Sequence, residues 1–217
     1  MRLALFDLDH TLIPFDSGMA WTRFLMARGA LSADAAERYL GHCQQYVGGQ
    51  LDIRALHAAT VAPLAVFSLP ELQALALQFE AEMAPQIPSA MRALVQQHQE
   101  AGDLCAIVTA TTRFIAEPFG RLFGVADVLA TRSRVVDGRL DGSIEGEPCY
   151  GLHKLAHVQA WLAGRGTRLD AVERSWFYSD SASDLPLLEA VSDPVAVAPD
   201  ARLRQRALAQ GWPVMSR

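Results

Sequence analysis

Residues 3–6, Leu-Ala-Leu-Phe, form an unbroken apolar run that ends in two aspartates, Asp7 and Asp9, with Thr11 two positions further on. Four apolar residues are too few for an ordinary helix, and the absence of polar alternation predicts a strand covered on both faces, as in a parallel sheet. Asp7 and Asp9 then fall at the carboxyl end of that strand. In open α/β sheets ligands bind in the crevice beyond those ends, so charge placed there meets a ligand rather than the core. Aspartate is also frequent in turns. The pair by itself therefore fits a polar turn that closes a strand equally well.

Three later segments decide between these readings. Residues 107–111, Ile-Val-Thr-Ala-Thr, end a second apolar run in hydroxyls, Thr109 and Thr111. Lys154 stands at the start of an expected helix after Tyr150-Gly151. Residues 176–184, Trp-Phe-Tyr-Ser-Asp-Ser-Ala-Ser-Asp, end a third strand in two acids four apart, Asp180 and Asp184. In this order the segments resemble the four motifs of the haloacid dehalogenase superfamily of aspartate-nucleophile phosphatases: Asp7-x-Asp9-x-Thr11, Thr109, Lys154 and Asp180-x-x-x-Asp184. Each motif alone is weak. The ordered set is specific, and it spans essentially the whole chain.

The 217 residues, 51% of them hydrophobic, suffice for a full α/β core and one modest insertion. A net charge of −5, with no Lys/Arg stripe interleaved with aromatics, lacks the footprint of a nucleic-acid binder and favours a small-molecule partner. Cys43, Cys105 and Cys149 are odd in number and form no CxxC, so they read as reduced, small hydrophobic residues. The first motif arrives before a signal-peptide core could form, and no apolar stretch approaches membrane-spanning length. The expectation is a soluble, cytoplasmic protein without membrane or nucleic-acid partners; nothing in the pattern specifies an oligomeric state.

Apolar periodicity after Phe15 predicts helices over 18–27, 33–46, 52–61 and 70–83, punctuated by Gly48-Gly49, Pro63 and Ser68 to Pro70. Pro85 and Pro88 mark the return to alternating helix and strand: a helix from Ser89, a strand over 104–109, a helix over 114–123. Val135-Val136-Asp137-Gly138-Arg139-Leu140 carries the Asp-Gly signal of a hairpin. The fold class that follows is α/β, a doubly wound parallel sheet of Rossmann-like type. Residues 1–15 and 86–217 would form the catalytic core and 16–85 an inserted helical cap. Four helices at that place look like the cap of the phosphoserine-phosphatase-like branch of the superfamily.

The resemblance implies Mg²⁺-dependent hydrolysis of a phosphate monoester through an aspartyl-phosphate. A doubly charged ester repels an anionic nucleophile unless a cation is present, and Mg²⁺ takes carboxylates, phosphate and water as ligands. Its implied protein ligands are the Asp7 carboxylate, the Asp9 backbone carbonyl and the Asp180 carboxylate, with Asp184 behind them to orient a water or Asp180. Asp7 is the implied nucleophile. Asp9 is the implied general acid and base, protonating the leaving alkoxide and later taking a proton from water. Thr109 and nearby backbone N–H groups would hold phosphoryl oxygens, while Lys154 would place a point charge beside the phosphoryl group and Asp7. Outside this resemblance a lone lysine is ordinarily a solvated surface residue. Asp180 and Asp184 would otherwise cap a helix beginning near Ser183, a task Ser183 can perform itself.

Substrate choice rests on fewer residues. Phosphoserine phosphatases carry an acid after the first motif for the substrate ammonium, and Asp16 stands in that place here. Their cap arginine for the substrate carboxylate corresponds to Thr60. An amine-bearing ester without a carboxylate, such as histidinol phosphate, needs the acid and not the arginine, so it stands beside phosphoserine as an expected substrate. Arg54, from a neighbouring turn, keeps phosphoserine open, and Asp16 is equally placed to cap the first inserted helix. Ala110 and Thr111 complete the expected substrate-binding set; Ala110 replaces a family glycine, retaining the N–H but limiting close approach. His10, inside the first motif, is either a phosphate neighbour or a neutral turn residue. His153 and His157, with no third ligand in view, read as surface histidines, and His42, Cys43 and His57 as cap residues without zinc. Trp21, Phe24, Leu25 and Met26 follow helical spacing and read first as cap core and second as pocket lining. The alternatives to hydrolysis are a phosphotransferase or mutase of the same superfamily, and a non-catalytic phosphate-binding protein. The latter would be expected to lack one of Asp7, Asp9, Thr109, Lys154 or Asp180.

Overall fold

The apolar runs at residues 3–6, 104–109 and 176–179 become neighbouring strands of one sheet. The computed structural model describes residues 1–216; Arg217, the last residue of the expected core, lies outside them. The chain runs β1 (Arg2–Phe6), α1 (Ser17–Ala27), α2 (Ala35–Val47), α3 (Ile53–Val61), α4 (Leu69–Met83), α5 (Ser89–Glu100), β2 (Leu104–Thr112), α6 (Arg113–Phe123) and β3 (Asp127–Thr131). It continues through β4 (Ser133–Val136), β5 (Arg139–Ile144), α7 (Leu152–Ala163), β6 (Arg174–Ser179), α8 (Leu185–Leu188), β7 (Asp193–Val197), α9 (Ala201–Gln210) and β8 (Val214–Met215). Six strands form a parallel sheet in the order β3-β2-β1-β6-β7-β8. β4 and β5 pair separately as an antiparallel hairpin.

The pleat explains why β1 must be apolar throughout. Ala4 and Phe6 face one cluster, which also holds Ile107, Tyr178 and residues of α5 and α6; Leu3 and Leu5 face the other, with Val108, Phe177 and residues of α7, α8 and α9. Both faces are covered, as double winding requires. The hairpin turns at Asp137 and Gly138, both with positive φ (49° and 74°), the conformation that makes Asp-Gly the favoured pair in such tight turns.

Two predicted boundaries move by more than one residue. The helix expected from residue 33 begins at Ala35, a shift within ordinary fraying. More consequentially, β2 runs on to Thr112 rather than stopping at Thr109, with its register to β3 broken between Thr109 and Thr112. Threonines at 109, 111 and 112 favour a strand, and the irregularity re-aims the side chains within it.

The inserted helices divide into two kinds. α1 and α4 contribute Trp21, Phe24, Leu25, Leu72, Phe79 and Met83 to the cluster that contains Phe6 and Phe119. Trp21 and Phe79 cross edge-on at 5.2 Å, and Phe79 meets Phe119 at 5.7 Å. Trp21, Phe24 and Leu25 are thus core residues and do not line the cavity described below. By contrast α2 buries only Ala35, and α3 only His57 and Val61. No single helix among the described residues is long and apolar enough to cross a membrane.

Candidate active site

β1, β2, β6 and the start of α7 deliver their polar residues to one place. The Asp7 backbone N–H donates to the Tyr178 carbonyl at 2.9 Å, continuing the β1–β6 ladder by one residue and carrying Asp7 to the sheet's carboxyl edge. Beyond it the chain turns tightly, Ile13 N–H reaching the Leu8 carbonyl at 3.1 Å. His10, exposed, takes a positive φ of 56°, a conformation histidine adopts more readily than most residues.

Lys154 is 3% exposed and its ammonium donates to Asp7 Oδ1 and to Asp184 Oδ2, both at 2.7 Å. Asp184 Oδ2 also accepts from the Ser179 hydroxyl at 2.7 Å, while Asp184 Oδ1 is buried without a partner among the described residues. The bonds of Asp184 among the described residues thus go to Lys154 and Ser179. The Asp180 carboxylate is met by Thr11, whose hydroxyl accepts from Asp180 N–H at 3.0 Å and lies 3.2 Å from both Asp180 Oδ1 and Asp7 Oδ2. With a single proton, Thr11 serves one of those carboxylates at a time.

Charge in this cluster is unbalanced. Asp7 and Asp184 bond the one buried lysine, and Asp180 joins them through Thr11. Burial raises the Asp7 carboxyl well above the usual carboxylate range; Lys154 opposes that shift, and the charges of Asp184 and Asp180 reinforce it. Asp180 is raised chiefly by burial, against its bond from Thr11. Burial would lower the Lys154 ammonium, but Asp184 and Asp7 on either side outweigh it and hold it charged. Such a surplus of carboxylate is a fitting environment for a second cation. No three acidic, histidine or cysteine side chains among the described residues form a ready-made cage. Two carboxylates and a backbone carbonyl, completed by phosphate and water, are nonetheless the donor set that Mg²⁺ accepts.

Asp9 sits apart from Lys154. The Ser17 backbone N–H donates to its Oδ1 at 2.6 Å, and the Thr111 hydroxyl donates to its Oδ2. Burial and the nearby Asp16 charge raise its carboxyl to about 6, the bonds from Ser17 and Thr111 working the other way. Thr109 is buried; its hydroxyl accepts from Thr111 N–H at 3.1 Å and has no acceptor for its own proton among the described residues.

A cavity of about 300 Å³ opens from Asp9, Ala110 and Thr111 and runs beneath α2 and α3. Tyr39, Cys43, Tyr46, Leu56, His57 and Thr60 line it from above, with Tyr150 and Asp16 at its sides. Asp16 does cap α1, accepting from Met19 N–H at 2.7 Å; the same Oδ1 accepts from the Tyr39 hydroxyl at 2.7 Å. Its Oδ2 has no hydrogen-bond partner among the described residues. The Tyr39 contact depends on Gly18, where an added Cβ would come within 2.4 Å of the Tyr39 hydroxyl. Arg54 is elsewhere: it pairs with Glu147 at 2.8 Å and donates to the Gly146 carbonyl.

The other histidines fall into place. His57, 7% exposed, faces the Thr112 hydroxyl at 3.3 Å and the Ser133 hydroxyl at 3.2 Å, joining α3 to β2 and β4. His157 meets the Glu147 carbonyl, and His153 stands 3.8 Å from the Glu147 carboxylate. The helix expected near Ser183 is a single 3₁₀ turn, Ala182–Asp184, leading into α8, and Ser181 rather than Ser183 caps it, assisted by Asp200 on the Ala182 N–H.

The profile of the haloacid dehalogenase-like hydrolases matches residues 4–189, a span that contains all of these strand-end residues. The chain belongs to that family. This hydrolase is 42% identical over 220 residues to a histidinol-phosphatase of Neisseria meningitidis, covering 99% of this chain and 98% of the relative. A solved protein of unknown function from Bordetella pertussis superposes with a TM-score of 0.93 at 42% identity, covering 99% of this chain and 97% of that one. A substrate-bound phosphoserine phosphatase superposes with a TM-score of 0.67 at 17% identity, covering 99% of this chain and 91% of that one, a likeness of fold alone. The hydrolase is a phosphatase by family and by the naming of its relatives.

Proposed function

We propose that this phosphatase hydrolyses a small phosphate monoester whose alcohol carries an amine and no carboxylate, with L-histidinol phosphate as the leading candidate. The observation that carries the reading is the charge of the cavity. Among its lining residues are two carboxylates, Asp9 and Asp16, and no lysine or arginine. A substrate ammonium would find Asp16 Oδ2 available, whereas the carboxylate of phosphoserine would enter a space with no cation to receive it. Arg54, the residue that kept phosphoserine open, is engaged by Glu147 outside the cavity. The kinship with a histidinol-phosphatase over nearly the full length of both chains supports the same choice.

In this reading Asp7 attacks phosphorus and forms an aspartyl-phosphate, which water then hydrolyses. Asp9, at the mouth of the cavity, gives a proton to the departing alkoxide and takes one from the attacking water. Lys154 holds Asp7 in position and offers its charge to the phosphoryl group, and Thr109 offers the unclaimed proton of its hydroxyl. Mg²⁺ would be held by the Asp7 and Asp180 carboxylates and the Asp9 carbonyl, and would neutralise charge on the phosphoryl oxygens. The reading takes a small phosphate ester as substrate and gives nucleic acid and membrane no part, and a cytoplasmic location belongs to it as a proposal.

The test is a panel of L-histidinol phosphate, L-phosphoserine and p-nitrophenyl phosphate assayed with Mg²⁺ on wild type and Asp16→Asn. Asparagine caps a helix about as well as aspartate, so α1 should persist. The substitution should cost about 1–3 kcal/mol in kcat/KM for histidinol phosphate and leave nitrophenyl phosphate nearly unchanged. An unchanged ratio of the two specificity constants, or a clear preference for phosphoserine, would sink the substrate assignment.

A further inference from the structure

Whichever residue protonates the leaving group must hold a proton in one half of the cycle and lack it in the other, so its neighbours must suit both forms. Both carboxylate oxygens of Asp9 are already engaged, by residues outside the chain's four motifs. Ser17 N–H donates to Oδ1 at 2.6 Å and the Thr111 hydroxyl to Oδ2, while Ser17 Oγ lies 3.1 Å from Thr111 Oγ1. Ser17 is fully buried at the first position of α1, and Thr111 lies in the stretch where β2 loses register with β3. Thr111 also lines the cavity beside Asp9.

The hydrogen-bond inventory of these groups has a consequence. A backbone N–H can only donate, so it keeps Asp9 Oδ1 as an acceptor and leaves Oδ2 as the oxygen to carry a proton. A hydroxyl can donate and accept. With Asp9 ionised, Thr111 donates to Oδ2 and accepts from the Ser17 hydroxyl. With Asp9 neutral, the Oδ2 proton rests on Thr111 Oγ1 until the leaving oxygen takes it; Thr111 meanwhile turns its own proton toward Ser17 Oγ and swings it back to Oδ2 once the transfer leaves Asp9 ionised. The two hydroxyls satisfy either form by rotation, without displacement of a heavy atom.

We propose that Thr111, backed by Ser17, is the positioning residue for the acid and base chemistry of Asp9, selecting Oδ2 as the proton-bearing oxygen and remaining its partner throughout the cycle. The proposal rests on the assignment of Asp9 under the proposed function. It makes Thr111 more than a wall of the substrate cavity, and it gives a purpose to the irregular continuation of β2 beyond Thr109, which brings that hydroxyl to Asp9.

The experiment compares Thr111→Val, which removes the hydroxyl and keeps the shape, with Thr111→Ser, which keeps the hydroxyl. Each is assayed with p-nitrophenyl phosphate, whose leaving group needs little help, and with two alkyl monoesters, L-histidinol phosphate and glycerol 2-phosphate. Thr111→Val should lose on the order of tenfold in kcat/KM on the alkyl esters, the usual effect of deleting a hydrogen bond to a charged group, and at most about threefold on nitrophenyl phosphate. Thr111→Ser should stay near wild type on all three. In an Asp9→Asn background Thr111→Val should add nothing further, because the two residues act as a unit. Equal losses on alkyl and aryl esters overturn the proposal, as does a Ser variant as slow as the Val variant with unchanged thermal unfolding, or a full additive loss in the double variant. Separately, if Asp9→Asn itself shows no preference between the esters, the assignment of Asp9 fails and takes the proposal with it. A preference in Asp9→Asn without one in Thr111→Val removes Thr111 alone.

Discussion

The floor of the cavity and its roof are held by different means. On the floor, Asp7, Lys154, Ser179 and Asp184 are nearly inaccessible and joined by bonds of 2.7 Å across β1, β6 and α7. The roof, α2 and α3, buries few side chains and leaves Val47 84% and Leu40 49% exposed. It is attached by the Tyr39–Asp16 bond at 2.7 Å, the burial of Val61, the His57 hydroxyl contacts, an edge-on Tyr46–Tyr150 contact at 5.8 Å, and the exposed Arg54–Glu147 pair. A dry, rigid floor suits chemistry, because fixed dipoles and charges act most strongly where water is excluded and need no reorganisation. A lightly attached roof suits selection among alcohols, since its residues can change without disturbing the floor. The division differs from a simple core and cap: α1 and α4, although inserted, share the core cluster of the sheet.

The comparison can be broken most directly at Asp7. Asp7→Asn preserves shape but removes the nucleophile and a carboxylate of the implied metal set, so activity on every ester should fall by on the order of a thousandfold or more, with folding intact. Substantial turnover by the Asn variant, or by wild type stripped of divalent metal, would end the mechanism. Next in size is Lys154→Ala, which leaves Asp7 and Asp184 buried against each other without their cation. Loss of one partner of a buried pair predicts a destabilisation of about 3–5 kcal/mol, measured by denaturant unfolding in chelator. A loss below about 1 kcal/mol would mean that the floor relaxes as easily as the roof.

The roof should respond less, and in one case with pH. His57 is pushed down from 6.5 to about 4, chiefly by burial, against a bond to the Ser143 backbone. The unfolded chain therefore binds a proton near pH 6.5 that the folded chain refuses until about pH 4. Stability contributed by the neutral ring is intact above the upper value, falls as pH drops between the two, and is lost below the lower one. His57→Gln should remove roughly 2 kcal/mol of this acid-side loss, seen as a shallower decline of the unfolding free energy from pH 7 to pH 4. Parallel profiles for the two proteins would show that α3 does not hold His57 neutral. The smallest effect belongs to Arg54→Ala. An exposed ion pair contributes under about 1 kcal/mol, and kcat/KM for histidinol phosphate should stay within about twofold of wild type. A large selective loss on phosphoserine would instead bring Arg54 into the substrate site.

Legibility in the sequence followed locality. The strand at residues 3–6 was readable because burial on both faces demands an unbroken apolar run, and the Asp137-Gly138 turn because its backbone demands residues that accept positive φ. The four inserted helices and α6 were readable from period and punctuation to within a residue or two, whereas α9 was not read at all. Partners distant in sequence were not. Asp184 bonds Lys154 across 30 positions and Thr111 bonds Asp9 across 102, and neither spacing leaves a periodic trace. The same holds for the chain of Arg2, Asp103, His98 and Tyr178, in which the His98 ring bridges the Asp103 carboxylate at 2.7 Å and the Tyr178 hydroxyl at 2.8 Å. Nothing in those four residues types announces a buried network.

The amino-acid sequence by itself determined the doubly wound sheet and the set of groups at its carboxyl edge, because strand burial and motif order are properties of short segments read in succession. Tertiary structure alone decided which carboxylate Lys154 shares with Asp7, which hydroxyl attends Asp9, and that the cavity above them is lined by acids without a cation. Those outcomes depend on how strands and helices far apart in the chain are brought together by the packing of two apolar clusters. Charge and hydrogen bonding act through space, so selectivity is settled only once that packing is complete.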